Sequence, residues 1–341
     1  MMRDVLRTAC AILIGLLCIL VPARARADGR LMLVNPNTGR WVSGGIDQIG
    51  HWHTAGSGTA ASLVGETNLI ATDSFLLSYA SATGKGASLL EDSRGIVAFD
   101  NLFNFSAHWS VIEGIGNYLF FYDLPSGHAA AIVRTFPDGT LKQTFSSATF
   151  SAWSNIIVTD NYVFFYNGTG GLIATGEIDS SGSFIQSASG QTSAGYTLAT
   201  SLNDDVLLYN RNNGYWESGP ILYTGNQLKD YYFPQTKVTA NTLGLGYSAA
   251  VQSNDHLLLY DSATGNAAIG HFAQAGTFIL DNKQVLTKFF THLVRCGHYL
   301  ILYGYGTGTF QVGYITTDGK FQVTQTLTSQ TGWWNVVATK N

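Results

Sequence analysis

Short runs of apolar and aromatic residues alternate with polar turns along the chain after residue 28. One unit reads WSVIE from Trp109, YLFFY from Tyr118, HAAAIVRTF from His128 and TLKQTF from Thr140, with Gly, Asn, Pro and Asp in the intervening turns. Runs of this length and composition, bounded by turn residues, predict β-strands. Apolar positions do not recur there at the spacing of three to four residues that is typical of a helix. The pattern therefore predicts an all-β protein built from four-stranded units.

Two glycines recur at a nearly constant distance from one aromatic position in seven copies of this unit. The first glycine follows the aromatic by five residues, and the second follows the first by eleven, or by twelve in the third copy. The aromatic position is Tyr in six copies and Val34 in the first copy. Its positions are Val34, Tyr79, Tyr122, Tyr166, Tyr209, Tyr260 and Tyr303. Glycines at fixed positions between strands are typical of tight turns that need a positive φ.

Seven four-stranded units of about 44 residues predict a seven-bladed β-propeller. The first unit begins at its second strand, RLMLV from Arg30, and the chain ends with an isolated first strand, WNVVA from Trp334. We expect that last strand to complete the first blade, so that one C-terminal strand joins three N-terminal strands. Closure of this kind removes the exposed sheet edges of an open array.

The first 27 residues have the features of a secretory signal peptide. Arg3 and Arg7 precede a 13-residue apolar run at 9–21, and ARA at 25–27 fits a signal peptidase site. The run is too short to cross a bilayer as a helix. We therefore expect a secreted or periplasmic protein, with a signal peptide at 1–27, one propeller domain at 28–341 and no membrane span after cleavage.

Charge excludes one class of partner. The whole chain has a formal net charge of −4, and its basic residues are scattered rather than clustered. Binding to nucleic acid needs a concentrated basic surface, so none is expected. Cys296 is the one cysteine beyond the signal segment, and we expect it to be a buried structural residue.

A second aromatic position lies thirteen residues before most of the repeated tyrosines. Glu66 occupies this position in one unit, and Trp334 occupies it in the C-terminal strand. Such rings either stack on the apolar face of a sugar or pack between blades. We treat them as candidate ligand-binding residues together with His108 and Trp333, which precede the position. The rings are Trp109, Trp153, Tyr196, Tyr247, Phe290 and Trp334.

One unit breaks the period. The segment between Gly225 and Tyr247 is longer than its counterparts and contains KDYYFPQTK. Insertions on one face of a repeat protein often bind ligands. Tyr231 and Tyr232 are therefore candidates for a ligand site, although a surface loop with its rings packed down explains the same residues.

The titratable residues do not predict catalysis. Most repeated aspartates stand in turns, where a short acceptor side chain caps backbone N–H groups. His51 and His53 point to one face of a strand, but no third metal ligand accompanies them at a recognisable spacing. No nucleophile elbow or phosphate-binding loop is present. The sequence predicts no metal, no cofactor and no catalytic residue.

The segment WSVIEGIGNYLFFYDLPSGHAAAIVRTFPDG, residues 109–139, resembles the blade motif of bacterial seven-bladed propeller lectins that bind fucose and O-methylated sugars. The resemblance implies sugar sites between blades, held by aromatic and polar side chains. It favours an exported, non-catalytic carbohydrate-binding protein whose partners are glycans. The alternatives are a secreted scaffold that binds a protein partner, and a hydrolase or lyase with a site in the central channel.

Overall fold

A computed structural model describes residues 29–72, 75–91, 97–124, 126, 130–148, 150–159, 162–221, 236–238, 243–328 and 335–339. Within these residues the secondary structure is almost entirely β-strand, with two 3₁₀ turns at Ala61–Leu63 and Gln274–Gly276. None of the described helices is long and apolar enough to cross a membrane.

The strands form seven four-stranded antiparallel sheets, numbered here as blades 1 to 7. Blade 1 contains β1–β3 and β28 (Gly29–Asn35, Arg40–Ile46, Trp52–Thr59, Asn335–Thr339), and blade 2 contains β4–β7 (Asn68–Ala71, Leu76–Ala80, Lys85–Glu91, Val97–Asn104). Blade 3 contains β8–β11 (Val111–Ile115, Tyr118–Tyr122, Ala130–Thr135, Leu141–Ser147), and blade 4 contains β12–β15 (Asn155–Val158, Val163–Asn167, Leu172–Ile178, Phe184–Gln191). Blades 5 to 7 contain β16–β19 (Leu198–Leu202, Asp205–Tyr209, Trp216–Pro220, Thr236–Val238), β20–β23 (Ala249–Ser253, His256–Tyr260, Asn266–Phe272, Phe278–Val285) and β24–β27 (His292–Cys296, Tyr299–Gly304, Thr309–Ile315, Phe321–Leu327).

The ring closes as the sequence predicts. In blade 1 the strand order is β28-β1-β2-β3, so the last strand of the chain is the innermost strand of the first blade. Val34 pairs with Asn335 in this sheet. The seven innermost strands contact one another in sequence around the channel, and β28 lies between β24 and β4. The seven-bladed propeller with four strands per blade is therefore confirmed.

The repeated glycines have the backbone conformation that their spacing predicts. Gly171 follows β13 with φ of +70°, and Gly182 lies between β14 and β15 with φ of +83°. A Cβ atom at Gly182 would lie 2.3 Å from Thr144 Oγ1 of the preceding blade. The second glycine of the repeat therefore serves both the turn and the close contact between blades.

The repeated tyrosines join each blade to the next. Tyr122 in blade 3 is fully buried, and its hydroxyl donates to the carbonyl of Ser151 at 3.0 Å. The same hydroxyl accepts a hydrogen bond of 2.7 Å from the backbone N–H of Trp153. Tyr79, Tyr166 and Tyr260 make the equivalent pair of bonds to the segments that enter the blades after their own. The tyrosine thus fixes the segment that enters the next blade.

A β-bulge recurs between the third and fourth strands of a blade. In blade 3 the register shifts after Ile132, which leaves Thr144 as the extra residue. Its hydroxyl donates to the carbonyl of Gly182 in blade 4 at 2.8 Å. Thr324 in blade 7 makes the same bond to Gly50 in blade 1 at 2.9 Å. In blades 3 and 7 the bulge therefore gives the outer strand a side chain that bonds to the next blade.

Candidate functional site at the mouth of the channel

Most of the predicted ligand-binding rings pack between blades. Trp153, Tyr196 and Tyr247 are 9%, 5% and 3% exposed, and Phe290 is also buried. Their rings lie against the neighbouring blade, for example Tyr209 against Tyr247 with centroids 5.6 Å apart. Little ring surface is left for stacking on a sugar. Ligand binding by these residues stays a prediction.

Trp109 and His108 differ from these rings. Trp109 is half-buried, with its ring 5.9 Å from that of Phe121. His108 is exposed and has a φ of +78°, a conformation that equivalent positions achieve with Gly65, Gly195 or Gly246 and, in one further blade, with Phe289. A non-glycine residue held in this region is a position to examine for function. The remaining candidates, Tyr231, Tyr232, Trp333 and Trp334, lie outside the described residues.

The junction between blades 1 and 2 departs from the repeat twice. Blade 1 has Val34 where the other blades have the linking tyrosine, so no phenol hydroxyl can reach the next blade there. Blade 2 has Glu66 where the other blades carry a ring. Leu63, from the extra 3₁₀ turn, is buried against Val34 and fills part of the space that the rings would occupy. Both departures therefore lie at a single junction.

Backbone bonds on both sides fix Glu66. Gly65, with φ of +79°, donates its N–H to the carbonyl of Pro36 in blade 1 at 2.8 Å. The N–H of Thr67 donates to the carbonyl of Tyr79 at 2.8 Å, and its hydroxyl donates to the same carbonyl at 3.2 Å. Glu66 thus lies two residues before β4, the innermost strand of blade 2, at the mouth of the channel.

The carboxyl group of Glu66 is almost entirely removed from solvent. The residue is 3% exposed, and its Oε2 accepts a hydrogen bond of 2.9 Å from Asn335 Nδ2. Among the described residues Oε1 has no hydrogen-bond partner. Burial disfavours the charged form and raises the pKa of Glu66 to about 7, although the bond from Asn335 acts in the opposite direction. Close to neutral pH this carboxyl can therefore both accept and release a proton.

Polar side chains cluster on three adjacent innermost strands at this mouth. His292, Asn335 and Asn68 are the first residues of β24, β28 and β4, and all three are half-buried. The equivalent residues of blades 3, 4, 5 and 6 are Val111, Asn155, Leu198 and Ala249, so the three adjacent polar residues occur in blades 7, 1 and 2. Burial lowers the pKa of His292, so its imidazole is neutral at neutral pH. Asn68 donates to the hydroxyl of Thr67 at 3.1 Å, which leaves a second amide hydrogen for another acceptor.

A second buried carboxyl has a different environment. Glu217 is fully buried, and both of its oxygens accept hydrogen bonds, from the hydroxyls of Thr192 and Ser193. Its counterpart in blade 7 is Gln311, which donates to the hydroxyl of Thr287 at 3.3 Å. Glu217 therefore holds the segment that enters blade 5, whereas Glu66 has one oxygen without a hydrogen-bond partner in the described ranges.

The aspartates in turns behave as the sequence predicts. Asp179 accepts hydrogen bonds from the backbone N–H groups of Ser181 and Ser183, each at 2.9 Å. Together with the bond from the Ser181 hydroxyl, these bonds lower the pKa of Asp179. Such a carboxylate is an ionised turn cap and not a proton carrier at neutral pH.

The chain matches no family model, and no curated protein is similar to it in sequence. Solved structures are similar in fold. A candidate 6-phosphogluconolactonase from Bacteroides uniformis has a TM-score of 0.69 and 15% identity, and the match covers 91% of this chain and 99% of that one. A candidate 6-phosphogluconolactonase from Bacteroides fragilis has a TM-score of 0.68 and 13% identity, with 93% and 99% covered. The periplasmic gluconolactonase of Pseudomonas aeruginosa has a TM-score of 0.65 and 12% identity, with 92% and 99% covered.

These similarities confirm the propeller fold and correct the predicted function. The sequence resemblance to propeller lectins led us to expect a non-catalytic carbohydrate-binding protein, and that prediction is wrong, because the similar propellers carry the names of lactonases. Identities of 11–15% across the similar structures show a common fold alone. The activity has to be argued from the side chains.

Proposed function

We propose that the protein is a hydrolase that opens a lactone or a related ester of a small polar molecule at the mouth of the channel. Glu66 is the general base of this reaction. The observation that carries the proposal is a carboxyl that is 3% exposed, has a pKa of about 7 and has one oxygen with no hydrogen-bond partner among the residues that the structure describes. A base whose pKa lies near the working pH transfers protons most effectively.

The reaction needs one proton to be moved twice. Glu66 takes a proton from a water molecule while the water oxygen forms a bond to the lactone carbonyl carbon. The tetrahedral intermediate then breaks its ring C–O bond, and Glu66 returns the proton to the departing alkoxide oxygen. The products are a hydroxy acid and the regenerated carboxylate, so atoms and charge balance.

Neighbouring amides are suited to the negative oxygen of the intermediate. Asn335 Nδ2 gives one hydrogen to Glu66, and its second hydrogen can be donated to a substrate oxygen. Asn335 lies on the innermost strand and contacts the carboxyl, so a substrate that bonds to this amide is brought next to Glu66. We assign Trp109 and His108, on the rim of the adjacent blade, to substrate binding rather than to proton transfer.

The comparisons support this class of reaction and an exported location. Three similar propellers are named as lactonases, and one of them is described as periplasmic. The apolar segment and ARA site within residues 1–27 support the same location. A periplasmic or secreted hydrolase agrees with both observations.

The test is hydrolysis of glucono-δ-lactone and 6-phosphogluconolactone above the uncatalysed rate. We expect Glu66→Gln to lower kcat by at least about 100-fold, since the amide cannot take a proton. Glu217→Gln is the matched control, because blade 7 carries Gln311 at that position, and it should keep its activity. Equal activity of Glu66→Gln and the wild-type protein, or no lactonase or esterase activity in either, would overturn the proposal.

A further inference from the structure

Two histidines and an aspartate converge at the other end of blade 6. They lie on three strands: His256 on β21, His271 on β22 and Asp281 on β23. His271 Nδ1 is 2.8 Å from Asp281 Oδ2, and His256 Nε2 is 3.5 Å from the same oxygen. Their side chains are 38%, 9% and 20% exposed for His271, His256 and Asp281. One ligand atom from each residue lies within 4.8 Å of the others.

The bulge of blade 6 differs from the bulges of blades 3 and 7. The extra residue of β23 is Asp281, since the register shifts after Ile269. The bulges of blades 3 and 7 carry the donors Thr144 and Thr324, which bond to a carbonyl of the next blade. A carboxylate cannot make that bond. Asp281 nevertheless packs against the next blade, because a Cβ atom at Gly319 would lie 2.6 Å from its own Cβ.

The imidazole of His256 faces a carboxylate on each side. Its Nδ1 is 2.8 Å from Asp255 Oδ1, and its Nε2 points at Asp281. A neutral imidazole has one N–H and one lone pair, so one of these two contacts sets a lone pair against a carboxylate oxygen. A positive charge between Nε2 and Asp281 removes that repulsion. Asp255 would then hold the proton on Nδ1, the arrangement in which a carboxylate orients a metal-binding histidine.

We propose that His256, His271 and Asp281 bind one divalent transition-metal ion of the Zn²⁺ type. Imidazole nitrogens with one carboxylate oxygen suit such an ion, whereas Ca²⁺ and Mg²⁺ prefer oxygen alone. Bonds of about 2.0–2.2 Å to a tetrahedral Zn²⁺ separate ligand atoms by roughly 3.3–3.5 Å. The contact of His256 with Asp281 already has this length, and the half-exposed ring of His271 has to shift until its ligand atom reaches the same separation from both partners.

The metal site is separate from the mouth of the channel. Glu66 precedes the start of an innermost strand, whereas His256 follows the turn that ends one. The ion therefore binds at the opposite face of the ring and joins the three outer strands of blade 6. Its loss should leave the reaction at Glu66 unchanged.

The test is calorimetric titration of tag-free, metal-stripped full-length protein with Zn²⁺. We expect one saturable site per chain and a rise in Tm as the ion binds the folded state. His271→Ala and Asp281→Asn should weaken binding by at least about tenfold. Asn is tolerated at a bulge because blade 2 carries Asn101 there. His53→Ala is the control, since His53 pairs with Asp47 at 2.7 Å without a second histidine in that pair.

Three results would overturn the metal site. They are no saturable binding of Zn²⁺ below about 1 mM, unchanged affinity in both cluster variants, and loss of binding in His53→Ala. The melting curve of each metal-free variant separates loss of the ligand from loss of the fold. Anomalous scattering at the zinc edge, from crystals grown with Zn²⁺, locates the ion independently of affinity.

Discussion

Asn335 Nδ2 donates to Glu66 Oε2 at 2.9 Å, and the two residues are 269 positions apart in the chain. This bond joins the innermost strand of blade 1 to the segment that enters blade 2. It lies where both landmarks of the repeat are missing, the linking tyrosine and the packed ring. A polar contact stands where the other junctions have an aromatic one, and one carboxyl oxygen has no hydrogen-bond partner within the described part of the chain.

The buried carboxyl should make stability fall as pH rises. Burial raises the pKa of Glu66 from 4.5 to about 7, so the folded state holds a proton that the unfolded state releases. Its favourable contribution is full below pH 4.5 and is lost as pH rises through about 7. The difference corresponds to about 3 kcal/mol. Urea unfolding of the wild-type protein and Glu66→Gln at pH 5 and pH 8 should show the variant gaining relative stability at pH 8. An identical pH dependence in both proteins would exclude the raised pKa.

The rate of hydrolysis should follow the same ionisation. As a general base, Glu66 acts when it is deprotonated, so kcat/KM should rise with pH and level off above about 7. Initial rates between pH 5 and 8, corrected for spontaneous hydrolysis, measure this profile. Glu217→Gln should keep the midpoint. A rate that is flat across this range would mean that another group carries the proton.

The linking tyrosines should contribute through their hydroxyls. Tyr122→Phe removes a buried hydroxyl that donates to Ser151 and accepts from Trp153, so we expect a loss of about 1–3 kcal/mol in the free energy of unfolding. Tyr118→Phe is the control, because its hydroxyl bonds to the carbonyl of Ser180 at an exposed site and should contribute less than about 0.5 kcal/mol. Denaturant titration compares them. Equal losses would show that the hydroxyl of Tyr122 has no special role between blades.

The repeated second glycine should be required for contact between blades as well as for its turn. Gly182→Ala sets a Cβ 2.3 Å from Thr144 Oγ1 at a φ of +83°. Gly116→Ala has a φ of +53° with nothing within 4 Å of the added atom. Backbone strain alone costs about 1–2 kcal/mol, and the clash adds about 1–3 kcal/mol. Thermal unfolding should therefore rank Gly182→Ala well below Gly116→Ala, and similar Tm values would contradict the close contact.

The sequence is sufficient for the fold because the landmarks are local. A tyrosine and two glycines at fixed spacing specify strands and turns within each unit, and the missing first strand of blade 1 predicts its closure by β28. The candidate site depends on a relation between units. Val34 and Glu66 are each visible in the sequence as exceptions to the repeat. That they lie at one junction becomes clear only from the structure, in which the tyrosine of one blade bonds to the segment that enters the next blade.

The cluster in blade 6 is harder to recognise for a similar reason. His256, His271 and Asp281 have no spacing typical of metal ligands, because each comes from a different strand. A bulge also sets the direction of Asp281, and bulges leave little trace in apolar periodicity. One signal was available. The position five residues after the second glycine is a hydroxyl residue in three units and an aspartate in three, Asp100, Asp230 and Asp281, and the sixth unit alone adds histidines at His256 and His271.

Closure of the ring by β28 also sets the time at which the candidate site can exist. A ribosome would make Asn335 after the other described strands of all seven blades, and 269 residues after Glu66. Until that strand docks, nothing supplies the amide or completes the wall that shields the carboxyl, so Glu66 should titrate like an ordinary surface glutamate. An unfinished or partly translocated chain would thus be catalytically inactive, and the appearance of activity would show that the ring has closed.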